Sequence, residues 1–246
     1  MLKHIWTSIT NLWKEFKMKY KGIIFDFNGT LFCDSHLHKL AWREYSKRLT
    51  GVEFTDEEMV QHMFGRTNEQ IIEYAIKRKP SPEMVEEIGQ EKEAYYRQMC
   101  LDNPETLHLT KGAVEFLDYL KENNIPRTIA TMSDKTNVDF YFDTFNLANW
   151  FQYDKVVYAD GIIPSKPAPD IYEIAAKNLE LAPQECIVVE DAISGINSAR
   201  DAKIGKIIAI CTEEPPELYQ SMPCVTGIIN DFTEFDKDLF EQKVHS

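Results

Sequence analysis

The stretch Gly22-Ile23-Ile24-Phe25-Asp26-Phe27-Asn28-Gly29-Thr30-Leu31 decides the fold. Its apolar run reads as a strand buried on both faces, so the acid that follows emerges at the strand's carboxyl end. Asn28-Gly29 is a turn pair, and Gly29 lets the backbone approach a ligand. Outward from this stretch, similar runs recur at Thr128-Ile129-Ala130, Lys155-Val156-Val157-Tyr158, Ile187-Val188-Val189 and Ile207-Ile208-Ala209-Ile210. Helical patterns over Ala113 to Glu122, Val138 to Phe145, Asp170 to Asn178 and Gly195 to Ala202 alternate with them. This alternation predicts an α/β fold with a doubly wound, parallel, Rossmann-like sheet.

One region breaks the pattern. Between residues 35 and 106 helix signals occur without a convincing strand: Thr55-Asp56-Glu57-Glu58 reads as a capping box, and Ser81-Pro82 as an N-cap followed by proline. The chain leaves the sheet after Leu31 and returns near Leu109. The expected division is therefore an α/β core of residues 18–34 and 107–246, with an all-helical cap domain of residues 35–106 over the carboxyl ends of the strands. Residues 1–17 form a separate extension, in which Leu2, Ile5, Trp6, Ile9, Leu12, Trp13 and Phe16 share a helical face opposite Lys3, Lys14 and Lys17. Such an amphipathic helix docks on its own core, on a partner or on a membrane surface.

Composition narrows the function classes. A chain of 246 residues with 43% hydrophobic content buries a full core, while a net charge of −13 repels the phosphate backbone and argues against nucleic acid as the main partner. The five cysteines, Cys33, Cys100, Cys186, Cys211 and Cys224, are odd in number and contain no C-x-x-C pair, so neither a disulfide framework nor a zinc site is indicated. With no transmembrane segment and no export signal in view, a cytoplasmic location is expected.

Four elements fall at predicted strand ends, where open α/β sheets place their ligands. Asp26 is the first, and taken alone it also suits a turn or a helix cap. Thr131 is the second: its hydroxyl and neighbouring amides, such as that of Met132, suit phosphate oxygens, Ser133 suits an N-cap, and each equally suits an ordinary turn. Lys166, in Ser165-Lys166-Pro167-Ala168-Pro169-Asp170, is the third; it is either a solvated charge or the fixed cation that so acidic a protein needs for phosphate. The fourth is Glu190-Asp191 after Cys186-Ile187-Val188-Val189. Two acids ending a buried strand are costly unless paired or metal-bound, so Asp26 and Asp191 make half a shell for Mg²⁺, with helix capping by Asp191 as the alternative.

In this order the segments D-F-N-G-T-L, I-A-T, S-K-P-A-P-D and V-V-E-D-A-I-S-G-I resemble the four motifs of the haloacid dehalogenase superfamily. Within it the chain is most similar to β-phosphoglucomutase-like phosphatases with a helical cap, from about Tyr20 to Phe232. The resemblance implies a Mg²⁺-dependent phosphohydrolase or phosphotransferase acting on a small phosphorylated metabolite, a sugar phosphate foremost. It makes Asp26 the nucleophile that carries an aspartyl-phosphate, Lys166 its cationic partner, and Gly29, Thr30, Thr131, Met132 and Ser133 the phosphate cradle. Asp26, the Asn28 carbonyl, Glu190 and Asp191 become the metal set. In the cap, His38, Trp42, Arg66 and Lys92 resemble substrate-contacting positions, although as plain helix residues Arg66 and Lys92 read as solvated charges and Trp42 as a core anchor.

Asn28 departs from the family, which usually has a second aspartate there as general acid and base. An amide has no titratable proton near neutral pH, and losing this catalysis costs on the order of 10²- to 10⁴-fold in rate. Three readings follow: a phosphatase that relies on a good leaving group or on a cap residue such as His38, a sugar-phosphate mutase, or a phosphate-binding regulatory protein with impaired turnover. Asp134, where the compared mutases carry lysine, weighs against the second. If hydrolysis of the phosphoryl-enzyme is the blocked step, Asn28→Asp is expected to restore turnover.

Overall fold

A computed structural model describes residues 20–63 and 66–240; the expected amphipathic helix of residues 1–17 lies outside them. Strand β1 (Gly22–Phe25) is buried along its length, as a run with apolar residues on both sides of the pleat must be. It sits inside a six-stranded sheet of order β3-β2-β1-β4-β5-β6, with β2 (Arg127–Asp134), β3 (Val157–Ala159), β4 (Cys186–Glu190), β5 (Lys206–Ile210) and β6 (Val225–Ile229). Every neighbouring pair is parallel.

Alternation along β1 sorts the core. Ile23 and Phe25 face a cluster with Phe116, Leu117 and Leu120 of α5 (Ala113–Glu122), whereas Ile24 faces Ile171, Tyr172 and Ala175 of α7 (Asp170–Asn178) and Ile196 of α8 (Ile193–Asp201). The chain winds outward in both directions from β1 and β4. The crevice at their carboxyl ends is thus the topological switch point. Register places Phe25 level with Ile129 and Val189, so Asp26 emerges level with Glu190 and with Ala130, one residue before Thr131.

Between β1 and β2 lie α1 (Ser35–Thr50), α2 (Asp56–His62), α3 (Asn68–Ile76) and α4 (Pro82–Asp102), with no strand among the described residues. They form an all-helical cap with its own core of Trp42, Tyr45, Phe54, Met59, Ile71 and Ile72. The Thr55 capping box and the Ser81 N-cap start α2 and α4; a second box, Thr67 with Gln70, starts α3.

Several local expectations are corrected. β6 was not legible, because a glycine interrupts its short apolar run and it lies partly exposed beyond β5. Lys155 belongs to a 3-10 turn, and β3 begins at Val157. Helix α6 (Lys135–Phe145) is capped by Asp134, whose carboxylate accepts from the Asn137 amide at 2.8 Å, and not by Ser133. The Ser133 hydroxyl is taken by Asn28 instead. Among the described residues no helix is long and apolar enough to cross a membrane.

Candidate active site

Asp26 continues β1, and its amide still pairs with the Val189 carbonyl at 3.1 Å, so the sheet itself aims its carboxylate. Lys166 arrives from the loop between β3 and α7. Its ammonium donates to Asp26 Oδ1 at 2.6 Å, to Glu190 Oε1 at 2.7 Å and to the Ala130 carbonyl at 3.2 Å. The alternative of a solvated lysine is overturned: Lys166 is buried.

Glu190 is saturated by protein donors. Besides Lys166, Oε1 accepts from the Tyr172 hydroxyl at 2.9 Å, and Oε2 from the Ala192 amide at 2.8 Å. A Cβ on Gly195 would lie 1.6 Å from Oε1, so only glycine lets α8 start this close to the carboxylate. Asp191 does not cap α8; Ala192 holds the N-cap position. Its carboxylate instead accepts from the Thr30 hydroxyl at 3.2 Å and turns toward Asp26. Gly29, at φ +76°, leaves room for it, since a Cβ there would lie 2.0 Å from Asp191 Oδ2.

Across the crevice, Thr131 is buried; its hydroxyl accepts from the Ser133 amide at 3.1 Å and donates to Asn28 Oδ1 at 3.4 Å. The Met132 side chain packs into the sheet's second core cluster. The Asn28 side chain is held between the end of β2, α6 and Asp34. Its Oδ1 accepts from the Ser133 hydroxyl at 2.7 Å, and its Nδ2 donates to the Tyr141 hydroxyl at 2.8 Å and to Asp34 Oδ2 at 2.6 Å.

The cap residues divide. His38 stands at the junction: Nε2 lies 3.5 Å from Asn28 Nδ2 and 3.6 Å from Asp34 Oδ2, with the ring stacked on Tyr96 at 3.9 Å. Lys92, expected as a solvated charge on helical spacing, is buried, paired with Glu93, 3.3 Å from His38 Nδ1 and 5.3 Å from the Trp42 ring. Trp42 anchors the cap core, as its type predicts. Arg66 is exposed in a pocket with His62, Gln70, Glu73 and Tyr74, apart from the residues gathered at Asp26.

Residues 20–203 match the haloacid dehalogenase-like hydrolase family. The chain belongs to that family. The hydrolase is 30% identical over 186 residues to the fructose-1-phosphate phosphatase of Escherichia coli (strain K12), covering 75% of this chain and 93% of the relative. A crystal structure of a HAD hydrolase, family IA, variant 3, from Entamoeba histolytica superposes with a TM-score of 0.83 at 36% identity, covering 89% of this chain and 96% of that one. β-Phosphoglucomutase from Clostridium difficile shares the fold, with a TM-score of 0.72 at 21% identity over 89% and 94% of the two chains.

The electrostatics of the hydrolase's site favour a cation. Burial pushes the Asp26 carboxyl up to about 7 against the pull of Lys166, with Glu190 adding to the rise. Desolvation, then Glu190 and Asp26, push Asp191 well above the usual carboxylate range. For Lys166, burial disfavours the charge, yet Asp26 and Glu190 outweigh it and raise the pKa. Three carboxylates whose oxygens lie within 4.8 Å of one another face one ammonium, a crowding that is relieved either by protons or by a further cation. Hard oxygen donors in excess suit Mg²⁺. Among the described residues Asp26 Oδ2 and Asp191 Oδ2 accept no hydrogen bond, whereas the oxygens of Glu190 are engaged in holding Lys166, Tyr172 and the start of α8.

Sequence reading missed Asp34, Tyr96, Tyr141 and Tyr172. The tyrosines fall at apolar helix positions and read as core. Asp34 carried one signal, an acid just before a predicted helix, which is the ordinary signature of a cap; its side chain makes no cap bond.

Proposed function

We propose that this hydrolase is a Mg²⁺-dependent phosphatase of small phosphorylated metabolites, sugar phosphates foremost, working through a phosphoryl group carried on Asp26. The observation that carries this reading is the buried Asp26 carboxylate, held by Lys166 at 2.6 Å beside Asp191 at the sheet's switch point. Lys166 occupies Oδ1, so Oδ2 is the oxygen left to attack phosphorus in line with the ester oxygen. As the new Oδ2–P bond forms, the P–O ester bond breaks and the leaving alkoxide takes up a proton. Water then attacks phosphorus, and Asp26 and inorganic phosphate are released. Lys166 favours the ionised form of the nucleophile against the burial that opposes it, and the Thr131 hydroxyl is placed to hold a phosphate oxygen. Asp26, Asp191 and the Asn28 carbonyl would hold Mg²⁺, which would supply charge neutralisation for the phosphoryl oxygens.

Asn28 has no proton to give. His38 is a cap group that has one: with Lys92, a donor only, facing Nδ1, we assign the ring proton to Nε2, on the side of Asn28 and Asp34. This arrangement also favours a second reading, a phosphate-binding protein with slow turnover.

The test is purified protein with Mg²⁺ and a panel of fructose 1-phosphate, other sugar phosphates, nucleoside monophosphates and acetyl phosphate, following free phosphate and intact protein mass. Steady phosphate release that disappears in Asp26→Ala is expected. Isomerised sugar phosphate would mark a mutase, and stabilisation by ligand without release would mark the second reading. Release that survives Asp26→Ala sinks the assignment of the nucleophile.

A further inference from the structure

The most completely buried carboxylate at the junction of cap and core is one the family motifs do not include. Asp34 has no solvent exposure, and the basic group beside it is the His38 ring, 3.6 Å from Oδ2. Its charge is held by donors: Oδ1 accepts from the Gly29 amide at 3.1 Å, and Oδ2 accepts from Asn28 Nδ2 at 2.6 Å and from the Tyr96 hydroxyl. Two of these donors belong to the turn that follows Asp26. The third stands on α4, the last helix of the cap, while Asp34 itself is the residue from which α1, the first cap helix, departs. Both legs of the cap therefore meet the turn at one carboxylate.

The identity of residue 28 follows from this contact. Both amide hydrogens of Asn28 are used, on Asp34 and Tyr141, and its oxygen takes Ser133 and Thr131. An aspartate at 28 has no hydrogen to offer Asp34, and two carboxylates would stand at about hydrogen-bond distance in a partly buried junction, where like charges repel. Asn28 and Asp34 are complementary as amide and acid.

We propose that Asn28 and Asp34 form one functional unit, in which Asp34 is a positioning residue that orients the Asn28 amide and the Gly29 amide and thereby couples the seating of the cap to the turn presenting Asp26 and the Asn28 carbonyl. The inference rests on the reading of Asp26 as the nucleophile. It reverses the expectation that Asn28→Asp alone restores turnover, and it makes a more demanding claim about the exchanged pair. With Asn28→Asp and Asp34→Asn together, residue 34 gives the amide hydrogen and residue 28 takes it, and the Ser133 and Thr131 hydroxyls still find an acceptor.

Four proteins decide it: Asn28→Asp, Asp34→Asn, the exchanged double variant and Asp26→Ala, each measured against wild type for melting temperature and for phosphate release from fructose 1-phosphate and p-nitrophenyl phosphate with Mg²⁺. The melting shift caused by inorganic phosphate with Mg²⁺ is recorded alongside. Each single exchange is expected to lower kcat by about tenfold or more while folded at the assay temperature, and the double variant to recover wild-type kcat within about threefold. Recovery in the double variant separates positioning from mere stabilisation, because both singles are assayed fully folded. Singles that keep wild-type kcat, or a double variant no better than the worse single, overturn the proposal. If wild type releases no phosphate, the phosphatase reading fails instead. The pair is then judged by the phosphate-induced shift, lost in the singles and regained in the double variant if the proposal holds, and equal in all if it does not.

Discussion

Glu190 holds the site together through contacts that leave it little freedom. Lys166, Tyr172 and the Ala192 amide share its two oxygens, and Gly195 fits beneath them only because it has no side chain. Gly195→Ala would force the carboxylate away by more than an ångström, since its Cβ would come 1.6 Å from Oε1. Lys166 would then lose one of its two anionic partners, and a cost of about 1–3 kcal/mol is expected from the broken buried network. Thermal melting checks the loss of stability, and phosphate release should fall well beyond what the unfolded fraction explains. An Ala variant with wild-type activity would show that Glu190 has room the geometry denies. Of this cluster, Asp26, Lys166, Glu190 and Asp191 were legible in the sequence, because each ends a strand or follows one. Tyr172 and Asp34 were not, since hydrogen bonding across 18 residues in one case and across the cap hinge in the other leaves no local pattern.

At the level of elements, caps and turns behave as their residues dictate. Helices α2 and α4 start where Thr55 and Ser81 predict, and α6 starts one residue late for Ser133 because Asp134 is the better-placed acceptor. The turn before the 3-10 helix Phe232–Glu234 offers a clean test. Asp231 accepts from the Thr233 amide at 2.8 Å and from its hydroxyl, and pairs with Lys111 at 2.9 Å, clasping the chain after β6 to the segment leading into α5. These bonds, that from the Thr233 side chain first, hold its pKa down to about 2 against an ordinary 3.8. Because the unfolded chain binds the proton more readily, this contribution is present above about pH 4 and is lost as pH falls through about 2. Acid titration of stability, followed by circular dichroism, should therefore fall more steeply between about pH 4 and 2 for wild type than for Asp231→Asn. Parallel curves would remove Asp231 from the acid response.

For the whole molecule, the parallel sheet and the inserted cap converge on one crevice in which three carboxylates crowd around one ammonium. Binding of a divalent cation there is linked to folding, so Mg²⁺ should raise the melting temperature, and Asp191→Asn should diminish the shift while making the metal-free protein no less stable. The second part follows from Asp191 being crowded by Glu190 and Asp26 and held well above its usual pKa, so neutralising it relieves repulsion. Differential scanning fluorimetry with and without Mg²⁺ checks both; an unchanged shift in the variant would place the metal elsewhere. The fold class, the order of β1 to β5, the helical cap and the strand-end acids were determined by the sequence alone, since apolar periodicity and turn chemistry are local and repeat along the chain. Only the tertiary structure decided that Lys92 is buried, that Arg66 stands apart, and that Asn28 is paired with Asp34. Those facts depend on which helix faces which strand end, and burial of a charge is set by partners brought together from distant parts of the chain.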